Sequence, residues 1–207
     1  MVRFALPVGG GGELDPECSG TCDGFDVDKA DFDEASSMAL GGELLFHLAP
    51  EFRLGAGLLY VSGTAVEVDR ESRETDLGSD LSVMAVAEGV FDVGPTTALT
   101  VRGQAGLLTL FPGGDLEDGI DDMKRICDNA TLDECDVDDG PYAGFTFGGG
   151  PGVRIALDKI ALRVDLLFQW YSVKHLMRIQ GRDAGGELDV SIGWSGHRYF
   201  LSGGLEF

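Results

Sequence analysis

The sequence predicts an all-β fold, an antiparallel up-and-down β-barrel of eight strands. Apolar residues recur at every second position in eight runs of the chain, which is the pattern of strands with one apolar face. The connections between the runs alternate between short turns and longer, mostly polar segments. No uncharged stretch reaches the roughly 18 residues that a membrane-spanning helix needs, so a helical membrane protein is excluded.

The eight runs are predicted at about residues 2–12, 36–49, 52–68, 81–93, 98–112, 142–157, 160–179 and 187–207. In the seventh run, for example, Leu162 and Val164 alternate with Arg163. The eighth run changes phase, because Trp194 and Tyr199 have opposite parity, and this change predicts a β-bulge near Gly196.

Alternate connections of an up-and-down meander lie at the same end of the sheet. The short connections at 49–51, 94–97 and 158–159 therefore define a short-turn rim. The other connections define a long-loop rim and lie at about residues 13–35, 69–80, 113–141 and 180–186. We expect a single domain, residues 1–207, with long acidic loops at about 13–35 and 113–141.

The negative charge is concentrated in two segments. The chain has a formal net charge of −21, and Glu13–Glu34 together with Asp115–Gly140 contain twenty acidic and three basic residues, a net charge of −17. This charge excludes binding to nucleic acid through bulk electrostatics, because phosphate backbones would repel the protein. The predicted strands are nearly balanced in charge, so the acidic surface is predicted at the long-loop rim.

The polar face of the strands indicates a barrel that is apolar outside. Eight strands enclose an interior only wide enough for side chains. The face opposite the apolar one is rich in Gly and Ala and has almost no Lys, which fits an interior better than a water-exposed surface. Aromatic residues are predicted to form outward bands near both rims, with Trp170 and Trp194 in the band of the long-loop rim, as in membrane barrels. A soluble barrel or sandwich with a core of aromatic residues is the alternative.

Charged residues on the polar face are predicted to form a network inside the barrel. Five Arg and five carboxylates have the required parity, and they are expected to pair, because each unpaired buried charge costs several kcal/mol. These residues are Arg3, Glu43, Arg53, Glu88, Asp92, Arg102, Arg154, Arg163, Asp165 and Glu206. Such a network would fill the interior and block conduction.

The C-terminal segment carries a resemblance to a known group of proteins. Tyr199, Leu201, Leu205 and Phe207 form an alternating pattern that ends in Phe. The chain resembles the eight-stranded outer-membrane barrels of the OmpA, OmpX and OmpW kind, in which this segment is the signal read by the assembly machinery. The resemblance implies a bacterial outer membrane, a periplasmic short-turn rim, an extracellular long-loop rim, and contact with outer-membrane lipid and lipopolysaccharide.

The start of the sequence leads directly into the first alternating run. We therefore expect that a native signal peptide has been removed or replaced. We also expect the barrel to be a monomer.

All four cysteines lie in the two acidic segments, and their spacing favours the disulfides Cys18–Cys22 and Cys127–Cys135. Each small ring is worth roughly 2 to 2.5 kcal/mol by loop entropy, enough to stiffen a loop. Pairing between the two loops is an alternative. A zinc site is a weaker alternative, because no His lies nearby.

Carboxylates next to the cysteines are candidate ligands for Ca²⁺, which prefers several convergent oxygens. The candidates are Asp26, Asp28, Asp31, Asp33, Asp136 and Asp138. Neither segment matches a twelve-residue EF-hand loop, and a solvated acidic surface is the favoured interpretation. No other cofactor is expected.

Three functions are consistent with these patterns. The favoured one is a structural or surface-interaction protein that displays rigid acidic loops, with a cation or a cationic protein as a possible partner. The first alternative is a small channel for solutes or ions. The second is an enzyme that modifies lipid A, although His47, His175 and His197 lie on different predicted strands and no catalytic arrangement is recognisable, so no catalytic residue is assigned.

Overall fold

The computed structural model describes residues 1–20, 29–34, 38–68, 74–129, 134–183 and 186–207. Within these residues there are ten strands and one helix. The strands are β1 Val2–Gly20, β2 Ala30–Glu34, β3 Met38–Ala49, β4 Phe52–Val68, β5 Glu74–Asp92, β6 Thr97–Phe111, β7 Glu134–Val137, β8 Tyr142–Leu157, β9 Ile160–Asp183 and β10 Gly186–Glu206. The helix, α1, spans Gly114–Asn129 and is not long and apolar enough to cross a membrane.

Eight strands form a closed ring in which every neighbouring pair is antiparallel. The order around the ring is β1, β3, β4, β5, β6, β8, β9 and β10, and β10 pairs with β1 along almost its whole length. The prediction of an antiparallel up-and-down fold with eight strands is confirmed. Because the ring is closed, its main strands leave no long unpaired edge.

The two short strands extend the wall at the long-loop rim. β2 pairs with Gly11–Leu14 of β1 and with the end of β4. It therefore lies between β1 and β4 at the long-loop rim, as β3 does nearer the short-turn rim. In the same way β7 pairs with the far end of β9, beyond the part of β9 that pairs with β8. Each of these two positions in the wall is therefore shared by two strands.

The predicted long loops contain more regular structure than expected. Strand β1 continues to Gly20, β5 begins at Glu74, and the predicted loop at 113–141 contains α1 and β7. Helix α1 buries Leu116 and Ile120, which are four residues apart and therefore lie on the same helix face. The acidic residues of its first turn also suit the positive end of the helix dipole.

Side chains alternate between the inside and the outside along most of the ring. On β6, Thr100 and Arg102 are buried, whereas Leu99 and Val101 are exposed. The same alternation on β9 buries Arg163. Large apolar side chains therefore point outward along most of the wall, and polar and charged side chains point inward.

The predicted bulge near Gly196 is wrong in position. Ile192 pairs with Met177 and Trp194 pairs with Val173, so between these pairs one residue of β10 opposes three of β9, and the irregularity lies in β9. The even-numbered residues of β10 face inward on both sides of it. Trp194 is completely buried, although its apolar character predicted an outward position in the aromatic band of the long-loop rim.

An apolar core fills the ring at the long-loop end. Because the interior is apolar there, apolar residues of β10 such as Trp194 face inward, which explains why the apolar residues of β10 change parity along the sequence. Its buried members come from strands all around the wall and from the connections between them. They are Phe32, Val66, Leu77, Leu108, Leu110, Leu116, Ile120, Val137, Tyr142, Tyr171, Val173, Leu176 and Trp194. Helix α1 contributes Leu116 and Ile120, so the segment between β6 and β7 is packed onto the barrel.

The predicted disulfide between Cys127 and Cys135 is confirmed, and it joins the last turn of α1 to β7 with a Cα–Cα distance of 5.4 Å. Cys18 is also disulfide-bonded. Its predicted partner, Cys22, lies outside the described residues.

Removing the Cys127–Cys135 disulfide is expected to loosen α1 without opening the ring. The double substitution Cys127→Ser/Cys135→Ser removes a cross-link worth roughly 2 to 2.5 kcal/mol, so amide exchange in α1 rises by more than tenfold. Hydrogen exchange read by mass spectrometry measures the effect, with β4–β6 as the internal reference. Ile126→Ser, at an exposed position of the same helix, is the control. Unchanged protection of α1 in the double variant would contradict the expectation.

Candidate functional site

The interior next to the short-turn rim contains a cluster of paired charges, the ionic cluster. Its members point inward because they share the inward parity of their strands. Seven of the ten predicted residues are buried there: Arg3, Glu43, Arg53, Glu88, Arg102, Arg163 and Asp165. Arg154 and Glu206 lie at the mouth and are partly exposed.

Glu43 on β3 receives two arginines from other strands. Nη1 of Arg102 donates to Oε2 of Glu43 at 2.8 Å, and Nη2 of Arg102 donates to the other carboxylate oxygen, so the contact is bidentate. Nη2 of Arg3 lies farther away, at 3.4 Å from Oε1 of Glu43, and at 3.2 Å from Oδ2 of Asp165. The stronger contact of Glu43 is thus with Arg102.

Arg163 on β9 is the centre of the other half of the ionic cluster. It pairs with Glu88, and its Nε donates to both oxygens of Asp165 at 2.8 and 2.9 Å. Arg53 links Glu88 to the mouth, because its Nη1 lies 3.5 Å from Glu88 and 3.1 Å from Glu206. The Arg163–Glu88 and Arg53–Glu206 contacts cross the interior between strands that are not neighbours in the ring, whereas Asp165 is on the same strand as Arg163, and Arg53 and Glu88 pair directly on neighbouring strands.

Asp92 does not join the predicted network. It is the last residue of β5 and is exposed at the short-turn rim, where water solvates its carboxylate. None of the ion pairs found among the described residues includes it. The ionic cluster therefore has five guanidinium groups and four carboxylates, not the balanced five and five.

A second buried cluster lies nearer the long-loop rim and consists of Glu34, Asp80, Tyr171 and Arg198. Nη1 of Arg198 donates to Oδ2 of Asp80 at 2.8 Å, and Nε of Arg198 lies 3.2 Å from Oε1 of Glu34. The guanidinium also stacks 4.5 Å from the centre of the Tyr171 ring. The parity of Asp80 and Arg198 in their strands could have predicted from the sequence that both face inward. The inward position of Glu34, in contrast, depends on the docking of β2.

A layer of uncharged polar side chains separates the two clusters. Gln169 donates to the hydroxyl groups of Thr146 at 2.9 Å and Ser82 at 3.3 Å. Nη2 of Arg163 reaches Thr100 at 3.3 Å and joins this layer to the ionic cluster. From the short-turn rim to the long-loop rim, the interior thus contains paired charges, amides and hydroxyls, a second charged cluster and an apolar core.

The outer face of the barrel is apolar, and the predicted assembly signal lies on it. Tyr199, Leu201, Leu205 and Phe207 are all exposed. Trp170 stacks between two outward phenylalanines of β8, with ring centroids 5.2 Å from Phe145 and 5.0 Å from Phe147.

The predicted Ca²⁺ ligands are only partly described. Asp26 and Asp28 lie outside the described residues, and the other four candidates, Asp31, Asp33, Asp136 and Asp138, are exposed. Among the described residues, no group of three or more His, Cys, Asp and Glu side chains lies close enough together to hold a metal ion. Calcium binding by the acidic loops stays a prediction.

Helix α1 presents an acidic surface that is tied to the barrel at both ends. Nζ of Lys124 donates to Oδ2 of Asp139 at 2.8 Å, and this contact lowers the pKa of the Asp139 carboxyl. Near the start of the helix, the carboxylate of Asp115 accepts the backbone N–H of Asp76 at 3.0 Å. Together with the Cys127–Cys135 disulfide, these contacts fix the helix relative to the wall.

The three histidines lie apart from each other. Nε2 of His47 accepts from Nε of Arg53 at the short-turn rim, at 3.0 Å. His175 is exposed on β9, and His197 packs against Phe168 and Tyr199 on the outer face. Among the described residues, none of the three lies beside a nucleophile in a catalytic arrangement.

The architecture defines an all-β antiparallel protein with a ring of eight strands. In sequence, the chain matches no known protein family and no curated protein.

Breaking a buried ion pair is expected to destabilise the fold far more than breaking an exposed one. Glu88→Gln removes the carboxylate that the buried guanidinium groups of Arg163 and Arg53 share, leaves Asp165 to balance Arg163 alone, and should lower the free energy of unfolding by about 3 kcal/mol or more. Asp189→Asn breaks a partly exposed pair with Arg178 near the long-loop rim and should cost less than about 1 kcal/mol. Urea unfolding curves compare the two variants, and equal losses would contradict the assigned role of the ionic cluster.

Proposed function

We propose that the protein is a bacterial outer-membrane β-barrel with a structural or surface-interaction role, whose interior is plugged and whose long-loop rim displays a rigid acidic surface. The observation that carries this proposal is the inverted distribution of side chains. Charged residues are buried inside the ring, and large apolar residues are exposed outside it. Water does not favour this arrangement, but a bilayer does.

The outward apolar surface is continuous around the wall and too extensive for an ordinary soluble monomer. Leu44 on β3 and Leu107 on β6 are 70% and 69% exposed, and Val164 on β9 is 54% exposed. Other exposed members include Phe4, Leu6, Leu40, Phe46, Leu58, Val83, Val101, Phe145, Val153, Leu162, Leu166 and Leu201. Every ring strand contributes to this surface, which we call the apolar belt.

Two features support the bacterial outer membrane rather than another bilayer. The C-terminal strand exposes Tyr199, Leu201, Leu205 and Phe207 on one side, in the pattern that resembles the assembly signal of small outer-membrane barrels. The disulfide between Cys127 and Cys135 suits an oxidising compartment. The proposed orientation puts the short-turn rim in the periplasm and α1 outside the cell.

The interior favours a structural or display role over a channel. Arg163, Glu88 and Arg198 are fully buried in contacts that cross the ring, and the apolar core around Trp194 closes the long-loop end. Helix α1, fixed to this core, would meet cations, cationic proteins or lipopolysaccharide bridged by divalent ions. No specific partner follows from the geometry.

A charged residue placed on the apolar belt tests the membrane proposal. Leu166→Arg puts a guanidinium on the outward face of β9, near the middle of the part of β9 that pairs with β8, and should lower the free energy of unfolding from a bilayer by about 2 to 4 kcal/mol. Ile126→Arg, at a similarly exposed position on α1, is the matched control and should change stability by no more than about 0.5 kcal/mol. Folding into lipid vesicles under a urea gradient measures both. Equal behaviour of the two variants would be expected of a water-soluble barrel and would overturn the proposal.

The plugged interior predicts the absence of a stable conductance. The purified protein, added to planar lipid bilayers in detergent, should produce no steady current steps, because paired charges and the apolar core occupy the ring. Insertion is verified in parallel by the shift between unboiled and boiled samples on a gel. Steady channels of nanosiemens size in a bilayer with inserted protein would favour the channel alternative.

A further inference from the structure

The second buried cluster, formed by Glu34, Asp80, Tyr171 and Arg198, contains two carboxylates and only one guanidinium group. The side chains of Glu34, Asp80 and Arg198 are at most 2% exposed, so water contributes little to the solvation of their charges. Among the residues that the structure describes, no other cation contacts either carboxylate. With both carboxylates ionised the cluster would carry a net negative charge, and such burial favours the neutral, protonated form of one of them.

The two carboxylates differ in the hydrogen bonds that they accept. Oδ2 of Asp80 accepts from Nη1 of Arg198 at 2.8 Å and from the hydroxyl of Thr64 at 3.1 Å, which suits an ionised group. Oε1 of Glu34 lies 3.2 Å from Nε of Arg198, but neither oxygen of Glu34 accepts a well-aligned hydrogen bond from a described residue. The neutral hydroxyl of Tyr171 also faces Glu34. These contacts favour the protonated form at Glu34 rather than at Asp80.

Glu34 belongs to β2, a strand of five residues that lies beyond the apolar belt. The outward side chains of β2, Asp31 and Asp33, are exposed carboxylates, which the interior of a bilayer would not accept. On β4 the exposed apolar residues end at Tyr60, whereas Glu34 pairs with Val66. The carboxyl of Glu34 therefore lies at the long-loop rim, outside the membrane-spanning part of the wall.

The two strands beside β2 bring no charged group against the Glu34 carboxyl. Its partner on β4 is Val66, and on β1 a Cβ atom at Gly10 would lie 2.6 Å from Oε2 of Glu34. Burial is the strongest influence and raises the pKa of the Glu34 carboxyl from 4.5 to about 7, opposed by Arg198 and reinforced by Asp80. Because Glu34 loses its contact with water only when β2 docks, docking and protonation are coupled.

We propose that Glu34 is a proton-operated latch that holds β2 on the barrel. With its proton, the side chain enters the buried cluster next to Arg198 and Asp80, and Phe32 on the same face of β2 packs into the apolar core. Loss of the proton to the solvent puts a second negative charge beside Asp80 and weakens the docking of β2. The core around Trp194 is thus closed more firmly in acid than at neutral pH. The latch depends on the ring and on β2 rather than on the membrane, so it stands or falls independently of the proposed function.

Hydrogen exchange of the β2 amides, read by mass spectrometry between about pH 5 and about pH 7, measures the opening of this strand in the intact protein. After correction for the intrinsic effect of pH on exchange, the opening equilibrium constant of β2 should rise about tenfold per pH unit, because opening releases one proton from Glu34. The sign follows from the pKa, which is about 7 when β2 is docked and 4.5 when it is not: docking is strongest below the lower value and weakest above the higher one. Strand β7, which extends the wall beside β9, is the internal reference and should show no such slope. A flat profile for β2, or the same slope in β2 and β7, would overturn the proposal.

Glu34→Gln keeps the size of the protonated side chain but cannot ionise, so its β2 should open to the same small extent at every pH. Glu67→Gln is the matched control, because Glu67 is exposed on the strand next to β2 and pairs with Asp33. This variant should keep the slope of the wild type. A slope that persists in Glu34→Gln, or that disappears in Glu67→Gln, would refute the latch.

Carbon-13 NMR of the wild-type protein, labelled at the glutamate carboxyl carbons, detects the proton directly and does not depend on the folding of a variant. One carboxyl resonance should titrate with a midpoint at about pH 7, well above those of the exposed glutamates. The absence of any resonance that titrates above about pH 6 would contradict the assignment of the proton to Glu34.

Discussion

The interaction on which the rest of this structure depends is the pairing of charges across the inside of a closed ring. A guanidinium or carboxylate buried there without a partner would destabilise the fold by several kcal/mol. Arg163 on β9 contacts Glu88 on β5, and Arg102 on β6 contacts Glu43 on β3, so these pairs join strands on different sides of the ring. These pairs favour one relative arrangement of the strands, because a register shift by one residue would turn the same charges outward.

The two ends of the interior are built differently, and the difference follows from what closes each end. At the short-turn rim the strands are joined by tight turns, the mouth stays open to water, and charges line it. At the long-loop rim, β2, α1 and β7 bring Phe32, Ile120 and Val137 onto Trp194, so the interior there is apolar. Arg198 and its partners lie between the two environments and make the polar side of that boundary.

Much of the fold was predictable from the sequence, because a strand with one apolar face has apolar residues at every second position. The inward position of Arg3 and Glu43 and the outward position of Leu44 follow directly from this period. Trp194 shows the limit of the rule: an apolar residue faces outward only where the interior is polar, and near α1 the interior is apolar. Helix α1 was not predicted, because its six acidic residues made the helical spacing of Leu116 and Ile120 difficult to recognise in the sequence.

The sequence by itself determined the number of ring strands, their direction, the face on which most of their side chains lie, and the favoured partner of Cys127. These properties depend on neighbours in the chain or on a repeating period. Only the tertiary structure decided that Asp92 is exposed to water at the rim, although its parity is that of the buried charges, and that Glu34 reaches Arg198. Those outcomes depend on strand length, on the height of a residue in the ring and on the docking of β2, which no local pattern encodes.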